Sequence, residues 1–304
     1  MTDQPFFDRR AERGIFAEML DSDGGVRVLA IGDDTNKGKT FLLQQLESMA
    51  FDRDVPVAFA SPAELSEPDT IAFADRIREQ LDDRVAFPRF MQMTIARSQG
   101  DFDTIVNSGH LGDVDYMDMT GASFEGANQP MVARHQANVL EPHAPVTIRL
   151  PEPAQLLDAQ KPLARLACMN AFAADLRAAA AEAPLALLID TYEGYPGAVQ
   201  DWIASFLRRH LIDHPEGPPA RIAIAIAGQS LPPFEKWNRR RVQRHVSKRQ
   251  LDRWPQDDFA EALRQFGFVH EPEQVPALYA ICAPMGPKDL VAHIQNAARA
   301  QRGI

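Results

Sequence analysis

The sequence predicts an α/β protein, with a mostly parallel sheet between helices and a small C-terminal helical domain after it. Three short runs, at residues 26–31, 185–190 and 221–228, carry this prediction, because each is almost entirely apolar, as strands buried on both faces are. Residues 55–60 predict a further strand after the first run, helical patterns fill most of the remaining chain between the runs, and the last stretch shows helical patterns alone. We therefore expect one domain over residues 1–250 and a second over residues 251–304.

Composition and charge limit the class of protein. The 304 residues are enough for a large domain and a smaller one, and contents of 45% hydrophobic and 24% charged residues are those of a globular chain. Cys168 and Cys282 lie in apolar helical patterns, which indicates buried thiols in a reducing compartment. Neither a signal-peptide pattern nor an apolar run of membrane-spanning length occurs, so we expect a cytoplasmic location and no membrane partner. A formal net charge of -10 disfavours nucleic acid as a partner of the whole surface.

The loop at residues 32–40, GDDTNKGKT, follows the first strand and opens a helix. In this setting backbone N–H groups and the helix N-terminus surround a polyphosphate, while a Lys adds positive charge and a Thr hydroxyl binds Mg²⁺. The sequence therefore predicts a phosphate-binding loop (P-loop) for ATP or ADP with Mg²⁺. The predicted nucleotide-binding residues of the loop and helix start are Gly32, Asn36, Lys37, Gly38, Lys39, Thr40 and Phe41, with Thr40 also binding the metal.

Two features of this loop depart from the usual pattern. Five residues instead of four separate Gly32 from Gly38, and Asp33 and Asp34 place two carboxylates where a polyanion would lie. Like charges a few ångströms apart cost energy in a partly desolvated loop, and Lys37 offsets only part of that. The alternative is a chance Gly-Lys-Thr that binds nothing, which the strand and helix on either side disfavour.

Polar residues also follow the other two apolar runs. Asp190 ends a predicted strand, where α/β sheets bind ligands, so it is predicted to hold the metal with Thr40; alternatively it only forms a turn. Glu193, three residues on, is the predicted catalytic residue and would orient or deprotonate a water molecule. Gln229 follows the third run, where it either senses the terminal phosphate or caps the strand, and both interpretations stay open.

Two further stretches have several interpretations. Residues 236–253 include eight Lys or Arg residues and only one acidic residue, Asp252. A solvated face is the favoured interpretation, and the alternatives are an arginine reaching a phosphate in the same or a neighbouring subunit, or a nucleic-acid contact. His110, Asp113 and Asp115 have spacings that a metal could use, although a surface turn is favoured.

Taken together, these segments resemble the signal-transduction ATPases with numerous domains, the STAND class of AAA-like P-loop ATPases. The loop at residues 32–40 is similar to the Walker A loop of that class. Residues 185–193, LALLIDTYE, are similar to its Walker B strand, and residues 221–228 to its sensor strand. Residues 251–267 and 283–290 are similar to its helical domain, which has a Gly-x-Pro turn near the nucleotide base.

The N-terminal FFDRRAE is similar to the Phe-x-x-Arg-x-x-Glu opening of the class, aligned on Phe6, Arg9 and Glu12. The resemblance thus covers most of the chain apart from residues 99–151. It implies a P-loop NTPase fold in which Arg9 and Pro287 also contact the nucleotide.

The implied function is an ATP- or ADP-binding ATPase or nucleotide-dependent switch in signalling or defence, with a protein partner or self-association. Gln229 stands where a basic residue is common, and Gly286 and Pro287 are adjacent instead of separated by one residue. Because such departures disfavour hydrolysis more than binding, the alternative is a catalytically inactive adaptor or regulatory protein with this fold. A nucleic-acid-associated ATPase that uses the basic run is the least favoured interpretation.

Overall fold

The computed structural model describes residues 9–22, 25–33, 38–64, 69–81, 84–110, 156–158, 160–219, 221–251, 256–265, 267–268, 271–282, 285 and 287–302. Strands β1 to β5 comprise Val28–Gly32, Val57–Ala60, Leu185–Ile189, Ile222–Gly228 and Val246–Arg249. They form one sheet in the order β2-β3-β4-β1-β5, and each of the four pairings is parallel. The predicted α/β class with a parallel sheet is confirmed.

The helices precede, connect and follow these strands. Helices α1 to α6 comprise Arg10–Asp21, Lys39–Asp52, Thr70–Leu81, Pro88–Gln99, Phe102–Asn107 and Lys161–Glu182. Helices α7 to α11 comprise Gly197–Ser205, Arg239–His245, Gln256–Gln265, Val275–Cys282 and Pro287–Arg302, and α7 continues as a π-helix over Phe206–Ile212. Among the helices described, none is long and apolar enough to span a membrane.

The three apolar runs are β1, β3 and β4, which adjoin one another in the order β3-β4-β1, and the strand predicted at residues 55–60 is β2. In the register of the sheet, Ile224 of β4 lies opposite Val28 on one side and Leu187 on the other. Every residue of β3 and β4 is buried. Helices on both faces exclude water from these strands, which explains why their sequences are apolar throughout and not alternating.

Alternate residues of each strand face opposite sides of the sheet. On one side, Leu29 and Ile31 pack with Phe16 of α1 and Leu43 of α2. On the other side, Val28 belongs to a larger cluster that includes side chains from α3, α4, α6, α7 and α8. The helix after β1 and the helix after β4 thus lie on opposite faces. Neighbouring strands whose connections leave on opposite faces border a crevice at their carboxyl ends, where α/β sheets bind ligands.

The C-terminal helices share a hydrophobic cluster of their own. Phe259 and Leu263 of α9 pack with Cys282 of α10 and with Leu290 and Ile294 of α11. The helices predicted at the end of the chain are therefore confirmed. Both cysteines are buried free thiols, as expected.

Three elements were not predicted. The basic run at residues 236–253 includes α8 and β5, and residues 102–107 form α5. Strand β5 lies at the sheet edge with only Val246 buried, so it lacks an apolar run, and its exposed Lys248 and Arg249 are typical of edge strands. Helix α5 is too short to show periodicity, although Asp101 caps it by accepting a hydrogen bond from the Thr104 N–H (3.0 Å).

Helix α4 is fixed to α6 by a buried carboxylate. Asp175 of α6 is 3% exposed, and its Oδ2 accepts a hydrogen bond from the Phe90 N–H in the first turn of α4 (2.9 Å). The Arg89 guanidinium lies 3.7 Å from the other carboxylate oxygen. Burial raises the pKa of Asp175, and the Phe90 N–H and Arg89 oppose that shift. Asp175 therefore satisfies an N–H group that the helix itself leaves without an acceptor.

We predict that Asp175→Ala lowers the free energy of unfolding by about 1–3 kcal/mol, because it leaves the buried Phe90 N–H without an acceptor. Asp175→Asn, which retains an acceptor oxygen, should cost clearly less. Urea unfolding followed by circular dichroism measures both changes. Equal stability of Asp175→Ala and wild type would show that this hydrogen bond does not hold α4 on α6.

Candidate functional site

The crevice at the carboxyl ends of β1 and β4 contains the first turn of α2. Gly38 precedes this helix in the left-handed conformation (φ 82°, ψ 23°), which glycine adopts without the steric penalty of a side chain. Lys39 and Thr40 are the first two residues of α2, and Phe41, half-buried, follows them. Gly32 ends β1. Asn36 and Lys37, also predicted to bind nucleotide, lie outside the described residues.

Lys39 is directed back toward the start of the loop. Its Nζ donates a hydrogen bond to the Asp33 carbonyl oxygen (2.7 Å), and the Asp33 N–H donates to the Gly228 carbonyl at the end of β4 (3.2 Å). The loop is thereby tied to the neighbouring strand where it leaves β1. An ammonium group and the N-terminus of α2 lie together at this position, a combination that favours an anion.

Thr40 and Asp190 are in direct contact, although 150 positions separate them in the sequence. The Thr40 hydroxyl donates a hydrogen bond to Asp190 Oδ2 (2.8 Å). Asp190 follows β3 and is 4% exposed. Burial raises the pKa of its carboxyl group; the hydrogen bond from Thr40 opposes this shift, and the nearby Glu193 charge adds to it. The predicted pair of metal ligands is therefore brought together.

The composition of this pair fits Mg²⁺. A hydroxyl and a carboxylate are hard oxygen ligands, and Mg²⁺ in phosphate-binding sites is held by one or two such protein groups while it keeps several waters. Within the described ranges no group of three or more His, Cys, Asp or Glu residues could hold a metal. A cation at Thr40 and Asp190 would thus need additional oxygen ligands, which water and phosphate supply.

Glu193 reaches the end of β4. Its Oε2 accepts a hydrogen bond from the Gln229 N–H (2.9 Å). The chain turns sharply between Asp190 and Glu193, because Thr191 has a positive φ of 50° and a 3₁₀ turn, Tyr192–Gly194, follows. Gln200 stabilises this turn, since its side-chain N–H donates to the Glu193 (3.3 Å) and Tyr195 (2.6 Å) carbonyls. Two acidic side chains therefore lie at the carboxyl edge of β3.

Gly228 is a site residue that sequence reasoning missed. A Cβ at this position would overlap Glu193 Oε2 and would lie 2.5 Å from the Ser230 carbonyl oxygen. Only glycine leaves room for the Glu193 carboxylate beside the end of β4. The available signal was a glycine at the end of an otherwise aliphatic strand, next to Gln229, which is exposed at the site.

Arg9 lies toward the same edge of the sheet. It is the N-cap of α1, and the C-terminal end of that helix contacts Arg27, which precedes β1: Arg27 donates to the Met19 and Ser22 carbonyls (2.6 and 2.5 Å). Helix α1 therefore runs opposite to β1. Its twelve residues rise about 18 Å, roughly the length of the strand. Pro287 begins α11, and its predicted contact with the nucleotide stays a prediction.

Other predicted features lie elsewhere. Arg240 and Arg241 of the basic run line a cavity at the amino-terminal edge of the sheet, opposite this site, so they do not reach its phosphates within one chain. His110 accepts a hydrogen bond at its carbonyl from the Asn170 side chain (2.9 Å), whereas Asp113 and Asp115 lie outside the described residues. The metal interpretation of that segment therefore stays a prediction.

Comparison with the models of known protein families and with the sequences of curated proteins finds no match to this chain. Its resemblance to the STAND class consequently rests on the motifs named above. The geometry at the carboxyl edge of the sheet is an independent source of argument about function.

We predict that Asp190→Asn raises the thermal stability of the protein at neutral pH. Because burial raises the pKa of Asp190, ionisation of this carboxyl destabilises the fold above the folded-state pKa. The gain should shrink as the pH falls and vanish below the unfolded-state pKa of about 3.9, where wild-type Asp190 is neutral in both states. Asparagine keeps an oxygen that accepts from Thr40.

Melting curves between pH 3.5 and 8 test this prediction. For a domain of this size, 1 kcal/mol of stabilisation raises Tm by about 2–4 °C. Asp158→Asn is the matched control, because a hydrogen bond and the charge of Lys161 lower the pKa of this exposed carboxyl. That variant should show no gain at neutral pH. A lower Tm for Asp190→Asn at pH 8 would contradict the argument from burial.

Proposed function

We propose that this chain is a P-loop protein of the STAND class that binds ATP or ADP with Mg²⁺ and acts as a nucleotide-dependent switch. The observation that carries the proposal is the hydrogen bond between Thr40 and Asp190. It joins a hydroxyl at a helix N-terminus to a carboxylate at a strand end, at the crevice where α/β sheets bind ligands. A chance Gly-Lys-Thr sequence would not require such a partner.

Each residue has a distinct role in this proposal. Lys39 would exchange its hydrogen bond to the Asp33 carbonyl for a charge-assisted contact with the β- and γ-phosphates. Backbone N–H groups at Gly38 and the start of α2 would surround the phosphates. Thr40 and Asp190 would hold Mg²⁺, which when bound neutralises phosphate charge near the carboxylates. Asn36, Lys37, Phe41, Arg9 and Pro287 would complete the nucleotide contacts.

Glu193 and Gln229 would link the nucleotide to the protein's conformation. Glu193 is held by the backbone N–H of Gln229, which follows the strand between β1 and β3. A γ-phosphate contacted by the Gln229 side chain would therefore act on the segment that positions Glu193. If turnover occurs, Glu193 would orient the attacking water and accept its proton.

The second candidate is a catalytically inactive adaptor that binds nucleotide without turnover. One observation favours it: a Glu193 oxygen already accepts a hydrogen bond from Gln229, so this carboxylate must be released or shared before it can act on water. In either case the protein would act in the cytoplasm, together with a protein partner or a second copy of the chain. Turnover measurements separate the two candidates.

We predict that Lys39→Ala lowers the affinity for ATP and ADP in the presence of Mg²⁺ by at least about tenfold, or about 1.4 kcal/mol. The reason is the loss of a point charge that faces the phosphates. Isothermal titration calorimetry measures the change. Lys161→Ala is the matched control, because Lys161 is also the first residue of a helix but is 62% exposed and pairs with Asp158. Equal affinities of wild type and Lys39→Ala would refute this nucleotide site.

We predict that Glu193→Gln lowers the rate of ATP hydrolysis by about 10²-fold or more and leaves nucleotide affinity nearly unchanged, since water is activated only in the transition state. Phosphate release under single-turnover conditions measures the rate. Glu235→Gln is the matched control, because Glu235 is the exposed middle residue of another 3₁₀ turn, Phe234–Lys236. Measurable binding with no wild-type turnover, alone or with a partner, would support the adaptor instead.

A further inference from the structure

A basic cavity of about 820 Å³ lies at the amino-terminal edge of the sheet. Its lining includes Gly25, which precedes β1, Pro219, which precedes β4, and His245, which precedes β5. In a parallel sheet all strands begin at one edge, so this cavity is on the side opposite to the candidate nucleotide site. It is therefore a separate place for a ligand.

The charge of this cavity opposes that of the chain. Among the described residues, five arginines line it together with one acidic residue, Glu216, whose side chain is 81% exposed. The chain as a whole carries a formal net charge of -10. The lining arginines are Arg27, Arg177, Arg240, Arg241 and Arg244. Concentrated positive charge inside a concave surface attracts anions more strongly than the same charge on a flat face.

Three of these arginines are fixed by backbone carbonyl groups. Arg27 is 1% exposed and donates to Met19 and Ser22. Arg177 donates to the carbonyls of His210 and Gly217. Arg241 donates to the carbonyls of Ile212 (3.3 Å) and His214 (3.0 Å). Carbonyl groups position a guanidinium without neutralising it. Arg177 also forms an ion pair with Glu216 (3.4 Å), and five arginines against this one carboxylate leave the described lining net positive.

The other two arginines have their donors available. Arg240 and Arg244 are exposed, and within the part of the chain that the structure describes neither side chain forms a hydrogen bond or an ion pair. They are four residues apart on α8, so they lie on the same side of that helix, where like charges destabilise it. An anion between them would remove the repulsion and occupy their guanidinium forks.

Two histidines that line the cavity have pKa values that the same arginines lower. Burial lowers the pKa of His214, and Arg177 and Arg241 lower it further. Burial also lowers the pKa of His245, with Arg244, Arg241 and Arg27 adding to the shift. Glu216 and the Gly25 carbonyl oppose these shifts. Burial and then the surrounding positive charge thus both lower the pKa of these imidazoles, and a bound anion would offset the contribution of the charge.

We propose that this cavity binds a small organic anion with two or more phosphate groups, contacted directly by Arg240 and Arg244 in the field of Arg177 and Arg241. The volume falls within the range of about 300–1,000 Å³ typical of small-molecule sites and far exceeds one phosphate. Arginine is the side chain best suited to planar, bidentate recognition of phosphate. The residues that line the cavity within the described ranges include no Phe, Tyr or Trp, which disfavours the base stacking used by single-stranded nucleic acids.

The test is calorimetric titration with inorganic pyrophosphate, performed on the Lys39→Ala chain so that the P-loop does not contribute. The Arg240→Ala/Arg244→Ala double variant should bind pyrophosphate at least about tenfold more weakly than its parent. Arg239→Ala is the matched control, because Arg239 is exposed on the same helix but does not line the cavity. It should bind like the parent, and Arg240→Lys/Arg244→Lys should fall between the two.

A second readout follows the histidines by NMR. Sulfate remains a dianion between pH 5 and 8, and it should raise the pKa of both His214 and His245 in the parent but not in the double alanine variant. Chloride at equal ionic strength serves as the reference. Equal pyrophosphate affinity of parent and double variant would overturn the proposal. Affinity for oligonucleotides that grows with their length and exceeds that for pyrophosphate would also overturn it, in favour of a nucleic-acid surface.

The outcome is distinguishable from failure of the nucleotide-binding proposal. ATP binding that requires Mg²⁺ depends on Lys39, and it should be unchanged by the Arg240→Ala/Arg244→Ala substitutions in an otherwise wild-type chain. Conversely, pyrophosphate binding that depends on Arg240 and Arg244 can be observed whether or not the P-loop binds ATP.

Discussion

The hydrogen bond between Thr40 and Asp190 crosses the end of a strand that lies between the two strands these residues follow. Strands β1 and β3 are not neighbours, since β4 lies between them, and two strand spacings amount to about 9.5 Å. The first turn of α2 must therefore extend across the end of β4 for Thr40 to reach Asp190. Gly228 ends β4 at this point, and its lack of a side chain leaves room for Glu193 as well. The whole arrangement depends on one strand that ends without a side chain.

An anion would meet mainly negative side chains at one edge of the sheet and mainly positive side chains at the other. At the carboxyl edge a polyphosphate would meet Asp190 and Glu193, so attraction requires Lys39, the N-terminus of α2 and a divalent cation to offset the carboxylates. At the amino-terminal edge it would meet five arginines and the mostly exposed Glu216, counted over the described lining residues. Binding at the first edge should thus depend on Mg²⁺, and binding at the second should not.

The sequence predicted those strands and site residues that can be recognised from one continuous segment of the chain. β3 and β4 are buried on both faces and therefore apolar throughout, and Lys39 and Asp190 are recognisable by residue type and by the strand or helix beside them. Contacts between distant segments that match no such motif gave no signal. Arg177 and Arg240 line one cavity but belong to separate helices, so the basic run looked like a solvated face.

Three features of this fold lower its stability, and each is at an edge of the sheet. Asp190 is a buried carboxylate with a raised pKa, Thr191 has a positive φ, and Arg240 and Arg244 repel each other on one helix. The sheet interior follows the rules of propensity, patterning and packing throughout. Residues that break such rules concentrate where a protein functions, because ligand binding offsets their cost. A ligand that binds only the folded state adds RT ln(1 + [L]/Kd) to the free energy of unfolding. Binding at either edge of the sheet would therefore offset the destabilisation caused by the residues at that edge.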